Sequence, residues 1–241
     1  MELLPFSYSL WVIIFLIVAA GLIAYISGKL TLPASVTGMI TAVLIYLGAG
    51  LPALVMLAAF FIMGTTVTSY KKNYKLKMKL AETNADKRKM TQVLANAGVA
   101  TILALLSMYM EDHNSVLLVM IAGSFASATS DTFSSELGNL YGHHFYNILT
   151  FKKDERGLNG VISLEGTLFG ILGSLLIAVI YSISIGWSLT FFAIMISGVF
   201  GNFSDSLLGA LFERKGYLGN DAVNFLNTAI AALVALLLIQ L

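Results

Sequence analysis

The sequence predicts an all-α, polytopic membrane protein with about eight transmembrane helices and both termini on the outer side of the bilayer. Three observations predict it. Of 241 residues, 58% are hydrophobic and 11% are charged, with a mean hydropathy of +0.85, against roughly 45–50% apolar and ~25% charged in soluble domains. Apolar runs near the ~20 residues that cross a hydrocarbon core recur along the whole chain. The period-two alternation of a membrane barrel is absent. A water-soluble domain is thereby excluded, and 1–241 reads as a single integral membrane domain with short loops. The formal net charge of +1 gives no support for nucleic acid as a partner, and the lack of cysteine excludes disulfides, thiolate metal sites and thiol nucleophiles.

The first apolar run, residues 7–27, follows no basic segment and is too long for a signal-peptide core, so it is expected to stay as the first span. The next two, 32–47 and 52–69, are separated by an uncharged turn near Gly50. Runs at 92–109, 115–138, 160–185, 188–211 and 222–241 complete the series. All three prolines, Pro5, Pro33 and Pro52, sit at span edges, as expected where uninterrupted helices satisfy their own backbone hydrogen bonds.

Cytoplasmic loops hold the excess of Lys and Arg. With the loop 71–89 inside, all 14 basic residues fall on that side: Lys29, the cluster from Lys71 through Lys79 to Lys89, then Lys152, Lys153 and Arg156, then Arg214 and Lys215. Glu2 and the Glu111-Asp112 pair fall outside. One span more or fewer would send a basic loop to the wrong side, so an even count is expected. The Lys-rich loop serves as a topogenic signal and attracts anionic lipid heads, while Lys71, Lys72, Arg88 and Lys89, near span ends, can also reach a phosphate.

Acidic residues inside spans are informative because an ionised carboxylate in hydrocarbon is costly unless paired, neutralised or facing water. Asp131, Glu136, Glu165, Asp205 and Asp221 all lie toward the inner side, whereas outer stretches such as 229–238 are apolar. Asp221, after Asn220, also suits a helix N-cap. Glu165 also suits an ion pair with Arg156 or a Lys, and Asp131 and Asp205 suit interhelical contacts to Ser, Thr or Asn. Ser130-Asp131-Thr132 and Ser204-Asp205-Ser206 resemble each other and end inward-running spans. Gln92 and Asn96 share a helix face, as do Asp221, Asn224 and Thr228, with Asn227 nearby. Gly157-Leu158-Asn159-Gly160 is a glycine-bounded loop that lets backbone N–H groups approach an anion, or else an ordinary tight turn. Carboxylates that hold Mg²⁺, beside Lys, Arg and backbone donors that hold phosphate, are what phosphoryl transfer requires. His143 and His144 have no further His or Cys nearby and read as interfacial residues.

Five segments in order resemble the motifs of the integral membrane family that includes plant phytyl-phosphate kinase. They run from Arg88 through Gln92 and Asn96 to Gly98, from Ala128 through Asp131 and Glu136 to Gly138, from Gly157 through Asn159 and Glu165 to Gly166, from Asp205 through Ser206 to Ala210, and from Asn220 through Asp221, Asn224 and Asn227 to Thr228. The likeness covers residues 64–241, the expected catalytic region. Departures are Leu158 and Val161, where Thr and Gly are expected, and Ser130 and Phe133, where Ala and Trp or Leu are common. The resemblance implies a kinase that uses a nucleoside triphosphate, CTP favoured, with Mg²⁺, and converts an isoprenyl (phytyl-like) monophosphate to its diphosphate at the cytoplasmic membrane face.

On this reading Asp131, Glu136, Asp205 and Asn96 are the catalytic set, and Asp131 and Asp205, supported by Glu136, are the metal ligands. Lys72, Arg88, Lys89, Gln92, Gly157, Asn159, Gly160, Ser206, Asp221, Asn224 and Asn227 bind phosphate or substrate. The partners are the isoprenyl lipid, the nucleotide and membrane lipids, and the location is the cell membrane of a prokaryote or an organelle membrane otherwise. A transporter or flippase for a lipid phosphate or small anion is the alternative, although transporters place their sites near the midplane. A non-catalytic scaffold for lipid synthesis is a third.

Overall fold

The computed structural model describes residues 6–78 and 87–240. Glu2 and Lys79, expected outside and inside, lie outside the described residues. The helices are α1 (Phe6–Ile26), α2 (Leu32–Ser69), the short α3 (Lys72–Lys77), α4 (Met90–Ser107), α5 (Asn114–Tyr141), α6 (Leu164–Ile185), α7 (Thr190–Leu208) and α8 (Asn220–Leu238). A wider π turn, Gly209–Glu213, continues α7, and a 3₁₀ turn, Glu111–His113, leads into α5. Between α5 and α6, β1 (Tyr146–Asn147) pairs antiparallel with β2 (Val161–Ile162).

Among the described residues six helices are long and apolar enough to cross a membrane, and the apolar part of α1, Leu10–Ile26, is shorter. One of the six, α2, is two spans. Its 38 residues would reach about 57 Å as a straight rod, yet Lys29, just before it, donates from Nζ to Oγ of its last residue, Ser69, at 2.8 Å. The reversal occurs at Gly50, whose φ of 75° and ψ of −171° suit only glycine. Pro52 then opens the returning half, where its missing N–H costs no hydrogen bond. Counted with α1 and the two halves of α2, the described residues hold eight apolar helical segments, in line with the expected about eight.

One boundary moves by about a helical turn and one helix is additional to the expected spans. The sixth span starts at Leu164 rather than Gly160, because β2 takes Val161 and Ile162 and Ser163 caps the helix, its Oγ accepting from the Gly166 N–H at 3.0 Å. The basic loop also contains α3, which no hydropathy signal marks.

The bundle is built around α5, in which every residue from 119 to 130 is buried. Gly123, Ser124, Ala126, Ser127, Ala128 and Ser130 keep its surface low, so neighbouring helices approach closely. A Cβ on Gly170 of α6 would lie 2.6 Å from Asn202 Nδ2 and 3.0 Å from Ser130 Oγ, and one on Gly173 would lie 2.8 Å from the Thr129 carbonyl oxygen. The outer halves are less bare than their composition suggests. Ser174 donates to the Met195 carbonyl at 2.7 Å and ties α6 to α7.

The loops carrying Lys and Arg are joined at one end. Arg88 N–H donates to the Lys29 carbonyl at 2.9 Å, Lys71 Nζ lies 5.1 Å from the Tyr141 ring centroid, and Arg214 pairs with Asp154 at 2.8 Å. This polar end holds the candidate site.

Candidate functional site

A cavity of about 150 Å³ lies where the inner ends of α5 and α7 meet the 157–160 loop and the π turn. Asp131 enters it from α5 and Asp205 from α7, with their carboxyl groups within hydrogen-bonding reach of each other. Asp205 Oδ1 accepts from Asn227 Nδ2 at 2.7 Å, and Asn227 Oδ1 accepts from Ser127 Oγ at 3.0 Å. That chain ties α5, α8 and α7 together and aims the Asn227 amide at Asp205. Asn227 is 1% exposed, so competing water is excluded from the amide. Asn224 Oδ1 stands 3.5 Å from the same Nδ2.

The glycine loop is seated directly on the π turn. Gly160 has φ of 74°, and a Cβ there would fall 2.3 Å from Ala210 Cβ and 2.7 Å from its backbone N, so only glycine fits. Arg214 Nε donates to the Asn159 carbonyl at 2.5 Å while its other arm holds Asp154. The Asn147 amide, the Glu155 N–H and Arg214 together hold the Asp154 carboxyl below its ordinary range. Asn159 thus has its backbone fixed at the cavity wall, and its side chain reaches the Glu213 carboxyl.

Of the residues expected from the sequence, the structure gathers Asp131, Asp205, Gly157, Asn159, Gly160 and Ser206 around this cavity, with Asn224 and Asn227 behind Asp205. It adds Asn202, Glu213, Ser134, Asn139 and Asn220. Asn202 was findable, since it precedes Asp205 by three residues and shares its face. Glu213 was not, because the π turn changes the helical phase between it and Asp205.

Glu136 lies elsewhere. Five residues after Asp131, it is turned about 140° around the helix, where Lys75 Nζ donates to its carboxylate at 2.5 Å. Lys75, 3% exposed, also donates to the carbonyls of Val67 at 2.9 Å and Thr68 at 3.4 Å, closing the end of α2. The set Asp131, Glu136 and Asp205 is therefore not assembled, and among the described residues no three His, Asp or Glu side chains are grouped to hold a metal ion.

Asn96 and Gln92 serve their own helix. Asn96 Nδ2 donates to the Gln92 carbonyl, and Gln92 Oε1 accepts from the Lys89 N–H, both at 2.9 Å. Asp221 sits in the first turn of α8, behind the N-cap Gly219, where the helix dipole favours its charge. Glu165 pairs with His143 Nδ1 at 2.8 Å, not with Arg156 or a Lys. Lys72 opens α3 and Lys89 precedes α4, and neither lines the cavity.

Separate from this cavity, an apolar chamber of about 570 Å³ lies between α1, both halves of α2, and α4, with no residue of α5 in its lining. Arg88, Lys29 and Gln92 are its polar end. The Arg88 guanidinium stands 5.6 Å from the Phe60 ring centroid. A Cβ on Gly64 would lie 2.9 Å from Arg88 Nη2 and 3.7 Å from Thr132 Cγ2, so Arg88 reaches from the chamber to the residue beside Asp131. Burial lowers the guanidinium's pKa and the Glu136 carboxylate opposes that shift.

Fold and site together define a polytopic membrane protein with a carboxylate and amide cavity at its polar end. The chain belongs to the integral membrane protein family DUF92, which matches residues 15–232 and so takes in α1 and α2 as well as the motif-bearing stretch. It is 38% identical over 189 residues to an uncharacterized membrane protein of Methanocaldococcus jannaschii, covering 78% of this chain and 77% of the relative. It is 32% identical over 203 residues to the chloroplastic Protein VTE6 of Arabidopsis thaliana, covering 79% of this chain and 60% of that protein. An uncharacterized membrane protein of Synechocystis is 29% identical over 198 residues, with 80% and 76% covered. No solved structure matches the chain.

Proposed function

We propose that this protein is a phosphotransferase that moves a phosphoryl group from a nucleoside triphosphate to an isoprenyl monophosphate, giving the diphosphate. Its polar end, by its Lys and Arg content, faces the cytoplasm. The observation that carries the reading is the opposition of Asp131 and Asp205 beside the 157–160 glycine loop, in a chain whose motifs resemble those of phytyl-phosphate kinase.

The donor set suits Mg²⁺. It consists of hard oxygens from carboxylates, amides and hydroxyls, with no sulfur or imidazole. Mg²⁺ is commonly held by one or two protein carboxylates and completed by water and substrate phosphates, so two opposed aspartates suffice. Asp131 and Asp205 would hold it, and when bound it would neutralise charge on the transferring phosphoryl group. Asn227 keeps Asp205 in place, and Asn159 and Asn202 offer amides to phosphate oxygens or bound water. A lipid monophosphate is an anionic nucleophile near neutral pH and needs little help from a general base. The work left to the protein is alignment and charge neutralisation, the latter from Arg88, which stands beside the α5 turn that carries Asp131. CTP is the donor that the resemblance implies.

The test is purified protein in detergent with Mg²⁺, each nucleoside triphosphate in turn and a panel of isoprenyl monophosphates, with products read by mass spectrometry. Diphosphate that depends on nucleotide and Mg²⁺ is the expected result. Absence of diphosphate in every pairing, with nucleotide-independent movement of labelled isoprenyl phosphate across sealed vesicles, would replace the kinase with a lipid-phosphate transporter.

A further inference from the structure

The chamber beside α1 has a chemistry opposite to that of the acidic cavity. Its 570 Å³ falls within the ~300–1,000 Å³ of sites that take one small ligand. Its walls are hydrocarbon from three helices, including Ile17, Met39, Leu54 and Phe61. Leu16, Ile23, Leu51 and Ile62 line it and are also exposed on the outside of the bundle. The chamber therefore opens sideways into the bilayer.

The hydroxyls of Ser27, Ser35 and Thr41 in its lining each donate to a backbone carbonyl, and the three larger polar side chains at one end, Lys29, Arg88 and Gln92, are not equivalent. The Lys29 ammonium is engaged by Ser69, and the Gln92 carboxamide by the Lys89 N–H. Among the described residues Arg88 makes no ion pair: its guanidinium has the Phe60 ring as its neighbour, and the carboxylate that acts on its charge, Glu136, is bonded to Lys75 at 2.5 Å. A guanidinium with five donors at the head of a hydrocarbon-walled space is costly unless an anion meets it. A water-soluble anion such as a nucleotide would have to place its polar body against those walls. An amphiphile with an anionic head satisfies both ends at once.

We propose that this chamber seats the single hydrocarbon chain of a lipid phosphate, with Arg88 holding the phosphate at the chamber mouth. The inference rests on the lipid-phosphate kinase reading and gives it an acceptor site separate from the nucleotide cavity. Arg88 and Thr132 both lie against Gly64, and Thr132 adjoins Asp131. A phosphate on Arg88 is thus held beside the α5 turn that carries Asp131. One continuous apolar space with one cationic end matches one chain per head group, which separates the expected ligand from the two-chain phospholipids of the bilayer.

Gly38 lines the chamber, and a Cβ there meets nothing within 4 Å, so a large side chain at that position enters the space without a clash. Ala58, an exposed wall residue on the returning half of α2, offers a second independent plug. Binding is read by native mass spectrometry of the purified full chain without nucleotide. The probes are phytyl monophosphate, uncharged phytol, short-chain dimethylallyl monophosphate and two-chain phosphatidic acid. Gly38→Phe and Ala58→Phe should each weaken phytyl monophosphate about tenfold or more, with a smaller loss for dimethylallyl monophosphate. Arg88→Gln should bring phytyl monophosphate down to the affinity of phytol, and phosphatidic acid should compete about tenfold less well.

Unchanged phytyl monophosphate binding in both plugged variants, or equal competition by phosphatidic acid, would overturn the proposal and make the chamber a seat for bulk lipid. Chamber binding without turnover would retain this site and remove the kinase reading. Turnover with an unaltered KM for phytyl monophosphate in both plugged variants would do the reverse.

Discussion

The acidic cavity and the apolar chamber ask different things of their side chains. Toward α6, α7 and α8 the packing is close enough that a methyl group on Gly170 would strike Asn202, and the polar groups are held by named partners, Ser127 to Asn227 to Asp205. Further from that cavity, α1, the two halves of α2 and α4 enclose 570 Å³ of apolar space with Arg88 at its mouth. Close packing gives preorganised charge, which phosphoryl transfer needs, and open packing gives room for a flexible chain. The two regions meet at Gly64, against which both Arg88 at the chamber mouth and Thr132 beside Asp131 lie.

If chemistry belongs to the close-packed flank alone, Asp131→Asn and Asp205→Asn should each lower turnover by about a thousandfold or more, while thermal unfolding stays at or above that of the parent. Full activity in either variant removes that residue from the site. Both variants failing to fold would instead make the pair a packing element.

The basic flank should answer in stability rather than turnover. Lys75→Met strips the partner from Glu136 and should cost roughly 3 kcal/mol, at the low end for a buried pair because Glu136 keeps some access to water. Adding Glu136→Gln should restore most of the loss in a denaturation series. A double variant that is folded and yet inactive would return Glu136 to the metal site.

Gly160→Ala should lift the glycine loop off Ala210 and cost about 1–3 kcal/mol, seen as a lower melting temperature with a partial loss of turnover. The smallest effect concerns pH. The folded Asp154 carboxyl is held below its ordinary value, so its contribution is present above the unfolded value of ~3.9 and is lost as pH falls through the folded one. Protease cutting of the loop between α5 and α6 should therefore rise as the pH is lowered through that range, and Asp154→Asn should cut at a high rate throughout.

Much of this was legible in the sequence, for physical reasons that also explain the rest. Hydropathy reveals spans because each must be apolar over its own length, and Lys and Arg reveal their common end because topology sorts them. Asp131 and Asp205 stood out because carboxylates are rare in spans. Glu136 looked like their partner because chain proximity was read as spatial proximity, although five residues along a helix face away. Glu213 stayed hidden behind a π turn that leaves no trace in composition. The chamber could not be read at all, since Arg88 and Gly38 become neighbours of one space only when Gly50 turns α2 back on itself.

The most direct test is a two-substrate kinetic study of the parent protein and Arg88→Gln in detergent, with Mg²⁺-nucleotide and phytyl monophosphate varied separately. The parent protein should form phytyl diphosphate, and Arg88→Gln should raise KM for the lipid about tenfold or more while KM for the nucleotide moves little. No diphosphate from the parent protein, or an Arg88→Gln defect that falls on the nucleotide KM instead of the lipid KM, would contradict the division of work between cavity and chamber.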